Sequence, residues 1–157
     1  MPRDTQRSRV YAAEEAWALR LDAARRGARQ AVVAGSALTL PLELRFGSLE
    51  DAQRYADHWT TGLPPVRLRP RKGQAAAHYA PPDDVALPLP PYGEPWALRE
   101  SVLLHELAHH VAFHTHGSAD HGPSYTACML DLVARAMGIP AVVGLDDLAA
   151  DAAAARR

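Results

Sequence analysis

His105-Glu106-Leu107-Ala108-His109 sets two imidazoles four residues apart, with a carboxylate next to the first, inside an apolar run that starts just after Pro95. If that run is a helix, residues four apart differ by about 40° around the axis and about 6 Å along it. His105 and His109 then point the same way and can close on one metal ion. Glu106 lies about 100° round from His105, beside the ligand face rather than on it. A carboxylate placed there suits a base acting on a metal-bound water better than a third ligand. Two histidines and a glutamate in this order form the zinc-hydrolase signature H-E-x-x-H.

A third ligand must come from chain that has turned back. His110 and His114 fall about 140° and 180° away from His105, and His116 lies about 10 Å beyond His109 along the axis, so none of them shares its metal while the helix continues. His121-Gly122-Pro123-Ser124-Tyr125 fits the need, because Pro123 is a good first residue for a new helix and His121 stands at the turn before it. No glutamate follows Glu106, which leaves Asp120 and Asp131 as competing carboxylate ligands. The expected site is therefore Zn2+ on His105, His109 and His121, with Glu106 as general base. Three neutral imidazoles leave the ion its full charge, which lowers the pKa of its water and polarises a substrate carbonyl. Tyr125, one turn after His121, is a candidate oxyanion donor and equally a packing aromatic.

The surrounding punctuation says which elements could hold these residues. From about Thr5 to Gln30 the chain reads as an amphipathic helix with Val10, Ala13, Trp17, Leu21 and Ala24 on its apolar stripe. Gly35 breaks it, and Leu38 to Phe46 alternates as a strand whose Pro41 marks an edge. Ser48 is an N-cap for a helix running to about Trp59. Val66–Arg69, Gln74–Tyr79 and Val85–Leu89 read as a three-stranded antiparallel meander, separated by turns at Arg71-Lys72-Gly73 and Pro81-Pro82-Asp83-Asp84. Arg67 and Arg69 are its wet face, although with Arg71 and Lys72 they could also form a basic patch for a partner. A Pro-rich link leads to Pro95, where the motif helix is expected to start, and Gly117 stops it. The helix from Pro123 carries the stripe Tyr125, Met129, Leu132, Val133 and Ala136 and ends at Gly138 and Pro140. Leu145 to Arg157 is a short terminal helix or tail.

Composition bounds the rest. At 157 residues the chain is expected to form one domain, 1–157, with its core at about 66–138. A formal net charge of −1 recruits neither nucleic acid nor anionic membrane. Cys128 is the only cysteine, which excludes an internal disulfide and any Cys-built zinc ribbon, and it reads as a small buried apolar residue. No apolar run approaches the roughly 20 residues of a membrane span, and Met1 to Arg9 holds no hydrophobic signal segment. A cytoplasmic protein is expected, acting on a peptide or protein substrate, without membrane or nucleic-acid partners; its oligomeric state is not legible.

His105-Glu106-Leu107-Ala108-His109 followed by His121-Gly122-Pro123-Ser124-Tyr125 resembles the H-E-x-x-H … H-G-x-x-[F/Y] pattern of SprT-like zinc metallopeptidases, over about Val66 to Gly138. The opening Arg3-Asp4-Thr5-Gln6-Arg7-Ser8-Arg9-Val10-Tyr11 also resembles the start of an actinobacterial family of metallohydrolase-like proteins. The resemblance implies an α+β, zincin-like fold: a small, mainly antiparallel sheet packed on the active-site helix, with additional helices. It implies a zinc-dependent metallopeptidase or amidase. SprT-like proteins that act on DNA-bound proteins usually carry a zinc ribbon or another DNA-binding segment, which a single-cysteine chain cannot build as a ribbon. A metzincin site is not matched, because Ala112 stands where that motif needs glycine. The alternative to an enzyme is a zincin-fold protein that binds metal and a partner without turnover; Glu106 argues against it.

Overall fold

A computed structural model describes residues 4–33, 35–73, 76–89, 95–143 and 145. The chain is α+β and forms two compact units, one of residues up to Glu43 together with those from Asp120 onward, the other of Leu44–Ala119.

In the first unit, helix α1 (Arg7–Arg25) buries the expected stripe, with Val10, Trp17, Leu21 and Ala24 each 1% exposed. The helix does not reach Gln30. Gly27 adopts φ 107°, and the N–H groups of Gly27 and Ala28 fold back onto the carbonyls of Ala24 and Ala23, closing the helix in a Schellman turn. The chain released there forms a strand that no sequence pattern had announced. This is β1 (Gln30–Val33), which pairs antiparallel with β2 (Ser36–Thr39), and Gly35 supplies φ 77° in the turn. The strand expected over Leu38–Phe46 therefore stops at Thr39. Pro41 has no N–H to continue a ladder, and Leu42 and Leu44 are 55% and 51% exposed. Helix α4 (Pro123–Met137) begins with Pro123 in its first turn and buries Tyr125, Met129, Leu132 and Val133. Cys128 on this helix is half-buried rather than buried, since it stands off that stripe. Gly138, at φ 92°, ends the helix, but Pro140 sits inside the short α5 (Ile139–Val143) that follows. Leu145 is buried, and the expected tail beyond it lies outside the described residues.

In the second unit, α2 (Leu49–Trp59) starts as read: the Ser48 hydroxyl accepts from the Asp51 N–H at 3.1 Å. Strands β3 (Arg67–Arg71), β4 (His78–Ala80) and β5 (Asp84–Pro88) form one sheet, though not a meander. Their order is β3-β5-β4, with β3 and β5 parallel and β4 and β5 antiparallel. The reason is in β5, where Val85, Ala86, Leu87 and Pro88 are all buried instead of alternating, as a strand covered on both faces must be. That strand takes the centre, and the chain crosses it between β3 and β4. Val66, just before β3, and Leu68 on it are buried, while Arg67 and Arg69 are exposed, Arg69 pairing with Asp84 at 2.8 Å.

The motif helix α3 (Glu100–His116) starts later than Pro95. Trp96–Leu98 forms a 3-10 turn, and Arg99 is extended and bridges antiparallel to Arg45. The Phe46 N–H donates to the Leu98 carbonyl at 2.9 Å and the Glu100 N–H to the Leu44 carbonyl at 3.0 Å, so the backbone at 98–100 is committed before the helix begins. Glu100 is 3% exposed, and its carboxylate accepts from the Tyr55 hydroxyl at 2.6 Å. Burial and the adjacent Glu100 charge push the Tyr55 hydroxyl far above its ordinary pKa, which keeps it a donor. Gly117, at φ 73°, ends α3 as expected. Among the described residues no helix is long and apolar enough to cross a membrane.

Candidate metal centre

Helix α3 is buried around most of its circumference, with Leu103, Leu104, Leu107 and Ala108 at 0% exposure. Three ionisable residues interrupt that apolar surface. His105, Glu106 and His109 are 6%, 5% and 5% exposed, a setting polar side chains tolerate only with partners or a bound ion. The rings of His105 and His109 meet edge to face with centroids 5.0 Å apart, as residues four apart on one helical face should. Glu106 Oε1 lies 4.0 Å from His105 Nε2. The carboxylate is thus beside the imidazole pair, where the helical geometry put it.

The sheet of the same unit braces this helix. The Tyr79 ring lies parallel to that of His109, with centroids 6.1 Å apart, and its hydroxyl donates to the Pro82 carbonyl at 2.7 Å. Burial, with the charge of Asp83, pushes the Tyr79 hydroxyl up to about 12. His110 and His114, set aside on angular grounds, have structural partners. His110 Nε2 donates to the Pro64 carbonyl at 2.8 Å, and its Nδ1 lies 3.3 Å from the Tyr79 hydroxyl. Burial lowers the His110 pKa, only partly offset by the Pro64 hydrogen bond, which favours the neutral ring. His114 Nε2 donates to the Pro82 carbonyl at 2.8 Å. Both histidines tie α3 to the turns flanking the sheet.

His121, in the other unit, stands just before α4 and is 7% exposed. Its Nδ1 is 2.7 Å from Asp4 Oδ2, and its backbone N–H donates to the same oxygen at 3.3 Å. Partial burial raises the Asp4 carboxyl, but the His121 hydrogen bonds and charge outweigh it and hold it below the usual carboxylate range. Tyr11 and Tyr125 meet the His121 ring edge-on, with centroids 5.2 and 5.0 Å away. Tyr125 is 0% exposed and its hydroxyl donates to Glu14 at 3.1 Å. Of its two candidate roles, packing is the one this placement supports. Asp4 was not singled out as a site residue from sequence. No local pattern links positions 117 apart, and the only signal was its place in the opening segment Arg3–Tyr11.

Ring nitrogens of His105, His109 and His121 all lie within 4.8 Å of one another, and the three could hold a metal ion. The competing carboxylates are engaged elsewhere: Asp131 is exposed and paired with Arg135 at 3.0 Å, and Asp120 accepts from the Gly122 N–H at 2.9 Å. The donor set fits a metal of the borderline-soft, nitrogen-preferring kind. Its fit is strengthened by Asp4, since a metal-binding histidine ordinarily directs its second nitrogen to a carboxylate or carbonyl.

The SprT-like family model matches residues 65–143, from just before β3 to the end of α5, and so spans His105, Glu106, His109 and His121. Neither a curated protein nor a solved structure matches the chain significantly. The match covers half of the chain, and the chain belongs to the SprT-like family.

Proposed function

We propose that the protein is a zinc-dependent hydrolase of peptide or amide bonds. The observation that carries this reading is the trio His105, His109 and His121, with Glu106 beside it at 4.0 Å from His105. Membership of a family associated with zinc metallopeptidase function supports it. His105, His109 and His121 would hold the ion, and zinc so held supplies a Lewis acid that polarises a carbonyl and brings the pKa of water towards neutrality. Glu106 accepts a proton from the attacking water as the oxygen adds to the carbonyl carbon. It returns that proton to the leaving nitrogen as the C–N bond breaks.

An extended substrate needs a sheet edge. β5 is paired on both sides, which removes one of the two strands the sequence offered, and β4 stands at the edge of the sheet. In this proposal β4 (His78–Ala80) pairs with a peptide substrate through its backbone. Tyr125 serves the reaction through His121 and not as an oxyanion donor.

The test is Glu106→Gln, which keeps size and most hydrogen bonding but removes the basic oxygen. Zinc content and fold should be unchanged, while hydrolysis of unstructured proteins or a peptide library falls by at least about 10²-fold. Equal hydrolysis by both proteins would rule out the base assignment. Zinc bound by both with no hydrolysis by either would favour a metal-binding protein that engages a partner without turnover.

A further inference from the structure

We infer that Asp4 is a positioning residue for the metal site, fixing His121 as the Nδ1–H tautomer so that Nε2 is its ligand atom. The inference rests on the zinc reading above, but its observations lie within one unit of the chain. A carboxylate has no proton to give, so the 2.7 Å contact between Asp4 Oδ2 and His121 Nδ1 places the hydrogen on Nδ1. In the neutral ring, the form that can ligate a metal, the remaining lone pair is then on Nε2. The same Asp4 oxygen also takes the His121 backbone N–H, at 3.3 Å, so one carboxylate sets both the tautomer and the turn that presents the ring.

The remaining freedom of the ring is rotation about its own axis. Tyr11 and Tyr125 limit it by meeting the ring edge-on at 5.2 and 5.0 Å. Tyr125 is held in turn by Glu14 at 3.1 Å. Asp4, Tyr11 and Glu14 all belong to α1 or the residues just before it, and α1 is anchored by fully buried side chains such as Trp17 and Leu21. The N-terminal segment thus works as a bracket for one ligand. A carboxylate partner of this kind also raises the basicity of the ring, and removing one typically costs 10–100-fold in metal affinity.

The experiment uses the full chain and two variants, Asp4→Ala and Asp4→Asn, with two readouts. Long-range proton–nitrogen spectra of the metal-free protein report the His121 tautomer directly, whether or not zinc ever binds. Wild type should show Nδ1–H, and Asp4→Ala a mixture shifted towards Nε2–H. Zinc affinity, measured by competition with a chromophoric chelator, should fall about 10–100-fold in Asp4→Ala. Asp4→Asn should fall less, because its amide oxygen can still accept from Nδ1–H without the charge. An Nε2–H tautomer in wild type, or unchanged zinc affinity in Asp4→Ala, would overturn the inference. Wild type that shows the Nδ1–H tautomer but takes up no zinc would instead overturn the zinc reading, leaving Asp4 as the tautomer-setting partner. Asp4 precedes the first helix and is partly exposed, so both variants should keep the wild-type circular dichroism; if Asp4→Ala does not, Asp4→Asn and the wild-type spectrum decide.

Discussion

Gln53 accepts a hydrogen bond from the Leu68 N–H at 2.9 Å while its own amide donates to the Val66 carbonyl at 2.9 Å. A side chain of α2 thereby stands in for the missing strand on the outer side of β3, and blocks the unpaired backbone that an edge strand would present.

Gln53→Ala should destabilise the protein by about 1–2 kcal/mol, since it leaves a half-buried N–H and C=O without this partner. Gln53→Glu, nearly the same size, should cost as much or more, because its carboxylate would face the Val66 carbonyl and Asp57. Urea unfolding of the three proteins checks this. Wild-type stability in Gln53→Glu would show that side-chain volume, not the hydrogen-bond pattern, matters there.

Zinc should stabilise the folded protein, because the proposed ligands come together only when the chain is folded. At a free concentration one hundred times Kd the gain is about 2.7 kcal/mol, and a chelator should remove it. His105→Ala and His121→Ala should each abolish the zinc-dependent rise in Tm. His114→Ala should keep it, since that ring is held by the Pro82 carbonyl and stands outside the histidine trio. A zinc response lost in His114→Ala and kept in His121→Ala would reassign the third ligand.

Ser48→Ala should cost about 1 kcal/mol through loss of the α2 cap. It should also change the acid limb of stability. The hydrogen bond from Ser48, and then Arg54, hold the Asp51 carboxyl below its ordinary 3.8. A carboxyl whose folded-state pKa is depressed contributes stability above its unfolded value, and that contribution is lost as pH falls from about 3.8 through the lowered value. Stability curves from pH 2 to 7 should therefore fall less steeply below pH 4 in Ser48→Ala than in wild type. Parallel curves would mean that Arg54 alone sets Asp51.

Local chemistry was legible in the sequence wherever one residue decides one backbone event. Ser48 capping α2, Gly117 ending α3, Pro123 opening α4 and the α1 stripe from Val10 to Ala24 all belong to that kind. So does the facing pair His105 and His109, which follows from helical spacing. What was not legible depends on distant chain. β1 was missed because Gln30–Val33 becomes a strand only by pairing with Ser36–Thr39. The meander failed because strand order is set by which strand is covered on both faces, and the unbroken run Val85-Ala86-Leu87 was the cue. The start of α3 moved from Pro95 to Glu100 because the backbone at 98–100 pairs with residues 44–46, far earlier in the chain.

The unit that holds His121 is built from both ends of the chain, with Leu44–Ala119 between its two parts. Synthesis is vectorial, so this arrangement imposes a schedule. At about 5–20 residues per second, roughly 6–23 s separate the making of Asp4 from that of His121. Residues 44–119, with His105, Glu106 and His109 among them, are complete before that interval ends. The carboxylate that orients His121 thus waits for its partner until the whole of the other unit has been made. A ribosome that stalls before position 121 leaves a chain with the H-E-x-x-H helix whole and its third imidazole missing.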